Sequence, residues 1–233
     1  MNARALIFDL DGTLLDTLDD IAFSMNAALK SFGAPQQPVH EYKRFVGQGL
    51  DVLAWRVLPE DRRDDVTVKQ CVAAMRTVYA GRWAHSTRQY PGIGGMLENL
   101  KRRAIPMAVF SNKAHDFTVR IVSHFFGPDT FKAILGGGKF PYKPDPAGAL
   151  FLAGELKVGP ETILYVGDSD IDMHTATKAG MYPVGVTWGF RSRQELIDNG
   201  AKILIDQPEE LITLIDHFSR ATAPACPDTP LTE

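Results

Sequence analysis

The sequence predicts an α/β protein whose core is a doubly wound parallel sheet, with an α-helical cap domain inserted into that core. Two observations predict the sheet. Short apolar runs ending in polar residues recur along the chain, and amphipathic segments of helical length separate them. A third observation predicts the insertion, because a long stretch after the first apolar run has helical patterns and no strand pattern.

Four apolar runs are the predicted strands of this Rossmann-like core: residues 5–8, 107–110, 162–166 and 182–187. The helical patterns between them cover residues 93–103, 116–126, 146–156 and 172–179. Each is near the length that a crossover between parallel strands needs. Ligands bind beyond the carboxyl ends of the strands in such sheets, so the polar residues that follow the runs are expected to form the site.

We assign residues 1–15 and 86–218 to the core and residues 16–85 to the helical cap, where 19–32 and 66–79 are predicted helices. A module inserted through two short connections is suited to act as a lid. The core is predicted to close with a short helix at 195–199, an edge strand at 201–205 and a helix at 209–218. Residues 219–233 are rich in small residues and proline, which predicts a disordered tail.

Composition excludes several classes of function. A net charge of −3 and a pI near 6.1 predict neither nucleic-acid nor membrane binding. Cys71 and Cys226 are far apart and form no CxxC, which disfavours disulfides and a zinc site. No apolar stretch approaches membrane-spanning length, and the N-terminus resembles no signal peptide. We expect a cytoplasmic protein, monomeric or homodimeric, that acts on a small molecule.

Asp9 and Asp11 follow the first predicted strand in the sequence DLDGT. The two carboxylates lie close together, and Gly12 lets backbone amides approach an anion. A hard divalent cation such as Mg²⁺ would neutralise the pair and clamp a phosphate oxygen. The alternative is a surface turn, since Asp-Gly is a common turn dipeptide.

Asp168 and Asp172 follow the third predicted strand in the sequence GDSDID. Asp172 is placed to support a metal from the first turn of the next helix. The alternative is that Asp168, Ser169 or Asp170 only caps that helix, although capping does not account for three acids together.

Three further polar residues stand where the strand pattern ends or in the following loops. Ser111 and Asn112 can donate a hydroxyl and an amide to a phosphoryl oxygen. Lys143 lies in a KPDP loop whose proline stiffens the backbone, and it suits a fixed cation for phosphate and carboxylate.

The ordered motifs DLDGT, FSN, KPDP and GDSDID resemble the four motifs of the haloacid dehalogenase superfamily. The resemblance implies that Asp9 is a nucleophile, Asp11 an acid/base and Ser111 a phosphate donor, with Gly12 and Thr13 as further phosphate contacts. It also implies that Lys143 steadies Asp9, that Asp9, Asp168 and the Asp11 backbone carbonyl bind Mg²⁺, and that Asp172 orients this metal site. An acid two residues after the nucleophile suits a phosphatase or phosphomutase.

The segments FVGQGL (residues 45–50) and VTWGF (186–190) make the chain similar to phosphoglycolate phosphatases. Gly47 is then expected near the substrate, or in a helix-start turn. Arg44, with Lys43 or Arg191 as alternatives, is the candidate for a substrate carboxylate, although a surface role suits each of them. Relatives often carry acids before the KP motif, whereas residues 136–142 here read GGGKFPY.

The favoured function is hydrolysis of a small phosphate monoester through a phospho-aspartate, with 2-phosphoglycolate as the favoured substrate. A phosphosugar mutase and a pyrophosphatase would use the same catalytic residues. A phospho-acceptor signalling module gathers similar groups at strand ends, but it needs neither a large helical insertion nor Asp11 as an acid/base.

Overall fold

The computed structural model describes residues 3–220. The strands are β1 (Ala5–Phe8), β2 (Leu15–Asp16), β3 (Arg88–Gln89), β4 (Met107–Ala114), β5 (Ala133–Gly137), β6 (Ile163–Gly167), β7 (Tyr182–Val186) and β8 (Ile203–Ile205). The helices are α1 (Leu18–Ser31), α2 (Tyr42–Phe45), α3 (Leu50–Val57), α4 (Asp65–Ala80), α5 (Ile93–Arg102), α6 (His115–Phe126), α7 (Ala147–Leu156), α8 (Asp170–Lys178), α9 (Arg193–Asp198) and α10 (Glu210–Arg220).

Six strands form one parallel sheet in the order β5-β4-β1-β6-β7-β8. The chain winds outward from β1 through β4 to β5 and then crosses to β6, so the winding direction reverses beside β1. Strand β1 is buried on both faces: Leu6 and Phe8 join one apolar cluster, whereas Ala5 and Ile7 join the other. The predicted doubly wound α/β core is confirmed.

Strand β5 was not predicted. Its sequence is AILGG, and glycine is depleted in strands because it has no side chain to pack. The structure explains Gly136, since a Cβ atom there would lie 2.5 Å from the Cα atom of His115 in α6. The GGGK segment therefore begins inside the sheet and not in a loop.

Strand β4 is longer than predicted and runs on to Ala114, so Ser111 and Asn112 lie within it. Its pairing with β5 has an irregularity between Phe110 and Ala114. Such irregularities re-aim side chains at the end of a strand.

The antiparallel pair of β2 and β3 connects the core to the helical insertion, which we define as α1 to α4, Leu18–Ala80. Asp20 of α1 fastens the returning connection: its Oδ2 atom accepts from the backbone amides of Ser86 and Thr87 at 2.8 Å each and from Thr87 Oγ1 at 2.9 Å. The Nε atom of Arg82 lies 3.4 Å from the other oxygen of this buried carboxylate. The returning connection is thereby tied to the first helix of the insertion.

The end of the chain follows the prediction closely, with α9, the edge strand β8 and α10 within two residues of the expected bounds. Residues 219 and 220 of the expected tail continue α10, and residues 221–233 lie outside the described residues. Within residues 3–220, every helix is too short or too polar to cross a lipid bilayer.

Candidate active site

Asp9 lies directly after β1, at the point where the winding direction of the sheet reverses. Its backbone amide donates to the carbonyl of Val166 on β6 at 2.9 Å, which fixes the carboxylate between the ends of the central strands. Ser111 of β4 and Asp168, which follows β6, line the same cavity. Three motifs that are far apart in the sequence are thus brought together by strand order, as expected for an open α/β sheet.

Lys143 is buried beneath this cavity with all three of its ammonium donors used. They contact Asp9 Oδ1 at 2.8 Å, Asp172 Oδ1 at 2.7 Å and the Phe110 carbonyl oxygen at 3.1 Å. Burial by itself lowers the pKa of the Lys143 ammonium, but Asp172 and Asp9 together raise it well above its usual value. Lys143 is therefore a fixed positive charge beside Asp9.

Asp172 is held by Lys143 and also by the start of α8. Ser169 caps this helix: its Oγ atom accepts from the Asp172 amide and donates to Asp172 Oδ2 at 2.5 Å. The capping interpretation is correct for Ser169, while Asp172 combines a capping contact with the ion pair to Lys143.

Oxygen atoms of Asp9, Asp168 and Asp172 all lie within 4.8 Å of one another, and all three residues are buried. Burial, followed by the charge of Asp172, raises the pKa of Asp168 to about 7 and that of Asp9 well above its usual value. Lys143 balances one of the three negative charges, so two remain when all three groups are ionised. A buried set of hard oxygen ligands with this charge fits a divalent cation.

Thr13 bonds Asp168, Gly12 packs closely against it, and neither residue is among those that line the cavity. The Thr13 hydroxyl donates to Asp168 Oδ1 at 3.1 Å, and the Gly12 amide donates to the Leu15 carbonyl at 2.8 Å. Gly12 has φ +90°, and a Cβ atom there would lie 2.3 Å from Asp168 Oδ2. The contact of both residues with phosphate stays a prediction; in the structure their donors serve the acidic cluster and the turn.

Ser111 and Asn112 differ in what they offer a ligand. Ser111 Oγ accepts from the Lys113 amide at 3.2 Å, which leaves its hydroxyl proton for a phosphoryl oxygen. The Asn112 side-chain oxygen accepts from the Lys143 backbone amide at 2.8 Å. Its Nδ2 atom donates to the Lys143 carbonyl at 3.0 Å and to the Gly47 carbonyl at 2.9 Å. The contact of Asn112 with phosphate stays a prediction; in the structure its side chain positions Lys143 and joins β4 to the insertion.

Asp11 forms an ion pair that the sequence reasoning missed. The Nζ atom of Lys113 lies 2.9 Å from each carboxylate oxygen of Asp11, and both side chains are about nine-tenths buried. Burial lowers the pKa of Lys113, but Asp11 and Tyr79 raise it to a value above the usual one. A signal was available, because alternate residues of a strand share a face and Lys113 stands two positions after Ser111.

The helical insertion supplies one wall of the cavity. Gly47, with φ +124°, lies in this wall beside apolar residues of α1, α3 and α4. Arg44, the predicted contact for a substrate carboxylate, is not among the lining residues: its side chain is 82% exposed and lies 4.0 Å from Glu41, which is the surface position given as its alternative. Arg191, in contrast, lines the cavity and donates to the carbonyls of Lys43 and Val46.

Comparison with known proteins agrees with this geometry. The model of the haloacid dehalogenase-like hydrolase family matches residues 6–186. The chain is 30% identical over 225 residues to phosphoglycolate phosphatase 1 of Pseudomonas aeruginosa, covering 95% of this chain and 83% of that protein. It is 31% identical over 215 residues to the phosphoglycolate phosphatase of Haemophilus influenzae strain 86-028NP, covering 89% and 96%.

Solved structures show the same architecture. A Lactobacillus delbrueckii subsp. bulgaricus protein assigned as a phosphoglycolate phosphatase superposes with a TM-score of 0.87 at 29% identity, covering 92% of this chain and 99% of that one. The β-phosphoglucomutase of Clostridium difficile superposes with a TM-score of 0.76 at 20% identity over 94% and 98% of the chains, a likeness of fold alone. The chain belongs to the haloacid dehalogenase-like hydrolase family and is a phosphatase of that family.

Proposed function

We propose that this phosphatase hydrolyses 2-phosphoglycolate through a phospho-aspartate on Asp9. The observation that carries the proposal is the ion pair of Asp9 Oδ1 with the buried Lys143 ammonium at 2.8 Å, in a cavity that Asp11 also lines. A carboxylate fixed beside a permanent positive charge can approach a phosphate dianion, whose negative charge would otherwise repel it. The names of the curated relatives support the choice of substrate.

In the proposed first step, the Asp9 carboxylate attacks phosphorus and the bond between phosphorus and the ester oxygen breaks. Asp11, carrying the proton that it took from water in the preceding turnover, gives this proton to the leaving oxygen. The Ser111 hydroxyl donates to a phosphoryl oxygen, and the fixed positive charge of Lys143 attracts the phosphoryl group. In the second step, water attacks the phosphorus of the acyl phosphate, Asp11 takes a proton from that water, and the Asp9 carboxylate is released with phosphate.

The proposed metal is Mg²⁺, held by Asp9 and Asp168 with the Asp11 backbone carbonyl, and oriented by Asp172. Buried carboxylate oxygens in excess of the local positive charge support this assignment. When bound, the ion neutralises charge on the acidic cluster and on the phosphoryl group.

We propose that residues 16–85 form the cap over this chemistry. The insertion wall of the cavity and the hydrogen bonds from Asn112 and Arg191 to insertion carbonyls support a closed arrangement that keeps bulk water away. A monomeric or homodimeric state and a cytoplasmic location remain predictions from the sequence.

The decisive experiment measures phosphate release from 2-phosphoglycolate, glucose 1-phosphate, glucose 6-phosphate, nucleotides and pyrophosphate, with Mg²⁺, Mn²⁺ or Ca²⁺ and with a chelator. We expect Mg²⁺-dependent release with the highest kcat/KM on 2-phosphoglycolate. Conversion of glucose 1-phosphate to glucose 6-phosphate without phosphate release would identify a mutase, and preference for pyrophosphate would identify a pyrophosphatase. A single phosphorylation without turnover would identify a signalling module.

A further inference from the structure

The buried hydroxyl of Tyr79, on α4, lines the active-site cavity. The Lys113 ammonium lies beside its oxygen, and its proton has no acceptor among the described residues. The residue is 2% exposed, and its ring packs edge-on against Phe117 with ring centroids 5.1 Å apart. Burial raises the pKa of the Tyr79 hydroxyl, outweighing the opposite effect of the nearby Lys113 ammonium. The hydroxyl keeps its proton, and because it lines the cavity this buried donor is available to an acceptor on a bound ligand.

Lys113 lies beside this hydroxyl, with its Nζ atom 5.0 Å from the centroid of the Tyr79 ring. The cavity is lined by two other cations, and both are engaged. Lys143 uses its three donors beneath Asp9, and Arg191 bonds carbonyls of the insertion and lies 3.6 Å from Asp170. Among the described residues, the Lys113 ammonium is paired with one anion, the Asp11 carboxylate, and its other neighbour in the cavity is the neutral Tyr79 hydroxyl. Lys113 is therefore the cation that an incoming anion can recruit most readily.

The rest of the insertion wall is apolar. Of the insertion residues that line the cavity, Tyr79 alone has a polar side chain; the others include Ile21, Leu53 and Met75. A leaving group rich in hydroxyls, such as a sugar, would bury several polar groups here without partners, at a cost for each. The wall favours a short leaving group with one polar end.

We propose that Lys113 and Tyr79 form the subsite for a substrate carboxylate that is attached to the carbon next to the phosphoester oxygen. When substrate binds, the Lys113 ammonium exchanges its hydrogen bonds to Asp11 for hydrogen bonds to this carboxylate. The proposal rests on the function proposed above and explains how the enzyme would select substrates that carry a carboxylate. Asp11 faces the ester oxygen in the proposed reaction, and the substrate carboxylate stands two bonds beyond that oxygen. The cation that bonds Asp11 is therefore within reach of it.

This arrangement gives a substrate carboxylate two roles. It satisfies the Tyr79 donor, and it takes over the ammonium that otherwise bonds both oxygens of Asp11. An ester without the carboxylate leaves Asp11 paired with Lys113 and the Tyr79 hydroxyl without an acceptor. Such an ester is disfavoured in binding and in the proton transfer to its leaving oxygen.

The test compares 2-phosphoglycolate with ethyl phosphate, in which a methyl group replaces the carboxylate. For each variant we would measure kcat and KM on both esters with Mg²⁺. Tyr79→Phe removes one oxygen and keeps the ring packing, Lys113→Met removes the ammonium, and Lys113→Arg restores a cation. Lys69→Met removes an exposed lysine of α4 and serves as the matched control.

We expect Lys113→Met to lower the ratio of kcat/KM for 2-phosphoglycolate over ethyl phosphate by roughly 10- to 100-fold, the range for a lost charged hydrogen bond. Tyr79→Phe should lower the same ratio by about tenfold, and Lys113→Arg should restore part of it. An unchanged ratio in Tyr79→Phe and Lys113→Met, with equal losses on both esters, would overturn the subsite.

Binding in the Asp9→Asn background separates this subsite from the phosphate site. There, Lys113→Met should weaken binding of 2-phosphoglycolate, measured by calorimetry, and should spare binding of inorganic phosphate. Equal weakening of both ligands overturns the inference and leaves the proposed function standing. A wild-type enzyme that releases no phosphate from 2-phosphoglycolate overturns both. If Lys113→Met does not fold, Tyr79→Phe carries the test.

Discussion

The Nδ2 atom of Asn112, on β4, lies 2.9 Å from the carbonyl oxygen of Gly47 in the helical insertion. The same amide group bonds the backbone of Lys143, so one side chain joins the insertion to the loop that carries the catalytic cation. Closure of the insertion and placement of Lys143 are therefore coupled through Asn112.

Asn112→Ala should reduce both stability and activity. It leaves two buried backbone groups of Lys143 and a partly buried carbonyl of Gly47 without their partner, which costs about 2–3 kcal/mol in the free energy of unfolding. We expect kcat/KM to fall at least about tenfold as Lys143 loses its position. Urea unfolding and steady-state kinetics measure the two effects. Asn199→Ala is the control, since its amide donates to Glu195 at an exposed site. Equal effects of the two substitutions would contradict the coupling.

Asp9→Asn should abolish turnover and preserve the fold. The amide is nearly the same size as the carboxylate but is a much weaker nucleophile, so we expect kcat to fall at least about a thousandfold. Burial and the charges of Asp172 and Asp168 disfavour an ionised Asp9 more than Lys143 favours it, so the metal-free variant should be as stable as the wild type or more stable. Single-turnover phosphate release and thermal unfolding with a chelator test both statements. Near-wild-type turnover would exclude Asp9 as the nucleophile.

The sequence predicts the parts of this site that depend on local sequence patterns, but not the parts that depend on contacts between distant segments. Strands β1, β4, β6 and β7 were predicted because each is a continuous apolar run, and their order along the chain implies a common ligand-binding edge. Strand β5 was missed because the contact that requires Gly136 comes from α6, a different part of the chain. Only the three-dimensional packing shows that Arg191 faces the cavity and Arg44 faces solvent.

The same limit explains why the ion pair of Asp11 with Lys113 was not predicted. Its motif predicted a carboxylate near the phosphate, but its partner Lys113 stands 102 positions later. The pairing of β4 with β1 brings the two residues together, and neither motif by itself predicts the register of this pairing.

The metal-free protein should become less stable as pH rises from 5 to 7. The pKa of Asp168 is about 7 in the folded protein and near 3.9 in an unfolded chain. Between these values the folded state holds a proton that the unfolded state has lost. The free energy of unfolding therefore decreases with pH, by about 2 kcal/mol over this interval from Asp168 alone.

Mg²⁺ should reverse this trend, since it binds the ionised carboxylates and so stabilises the folded protein more at pH 8 than at pH 5.5. Urea unfolding at four pH values, with chelator and with Mg²⁺, measures both slopes. Asp168→Asn should flatten the slope in chelator. The contribution of Asp168 is the slope of the wild type in chelator minus the slope of Asp168→Asn in chelator. If this difference showed stability rising with pH, the raised pKa of a buried Asp168 would be contradicted.

Arg191→Met should raise KM more than it lowers kcat. The Arg191 guanidinium donates to the carbonyls of Lys43 and Val46, the latter at 3.2 Å, and so holds the end of α2 against the core. Without these bonds a smaller fraction of molecules has the insertion closed, and apparent affinity falls in proportion to that fraction. We expect a KM for 2-phosphoglycolate about tenfold higher. Arg193→Met removes an exposed ion pair with Asp206 and should leave KM unchanged. If Arg191→Met lowered kcat with no change in KM, its contacts with the insertion would not control closure, and a direct role in the chemical step would have to replace this explanation.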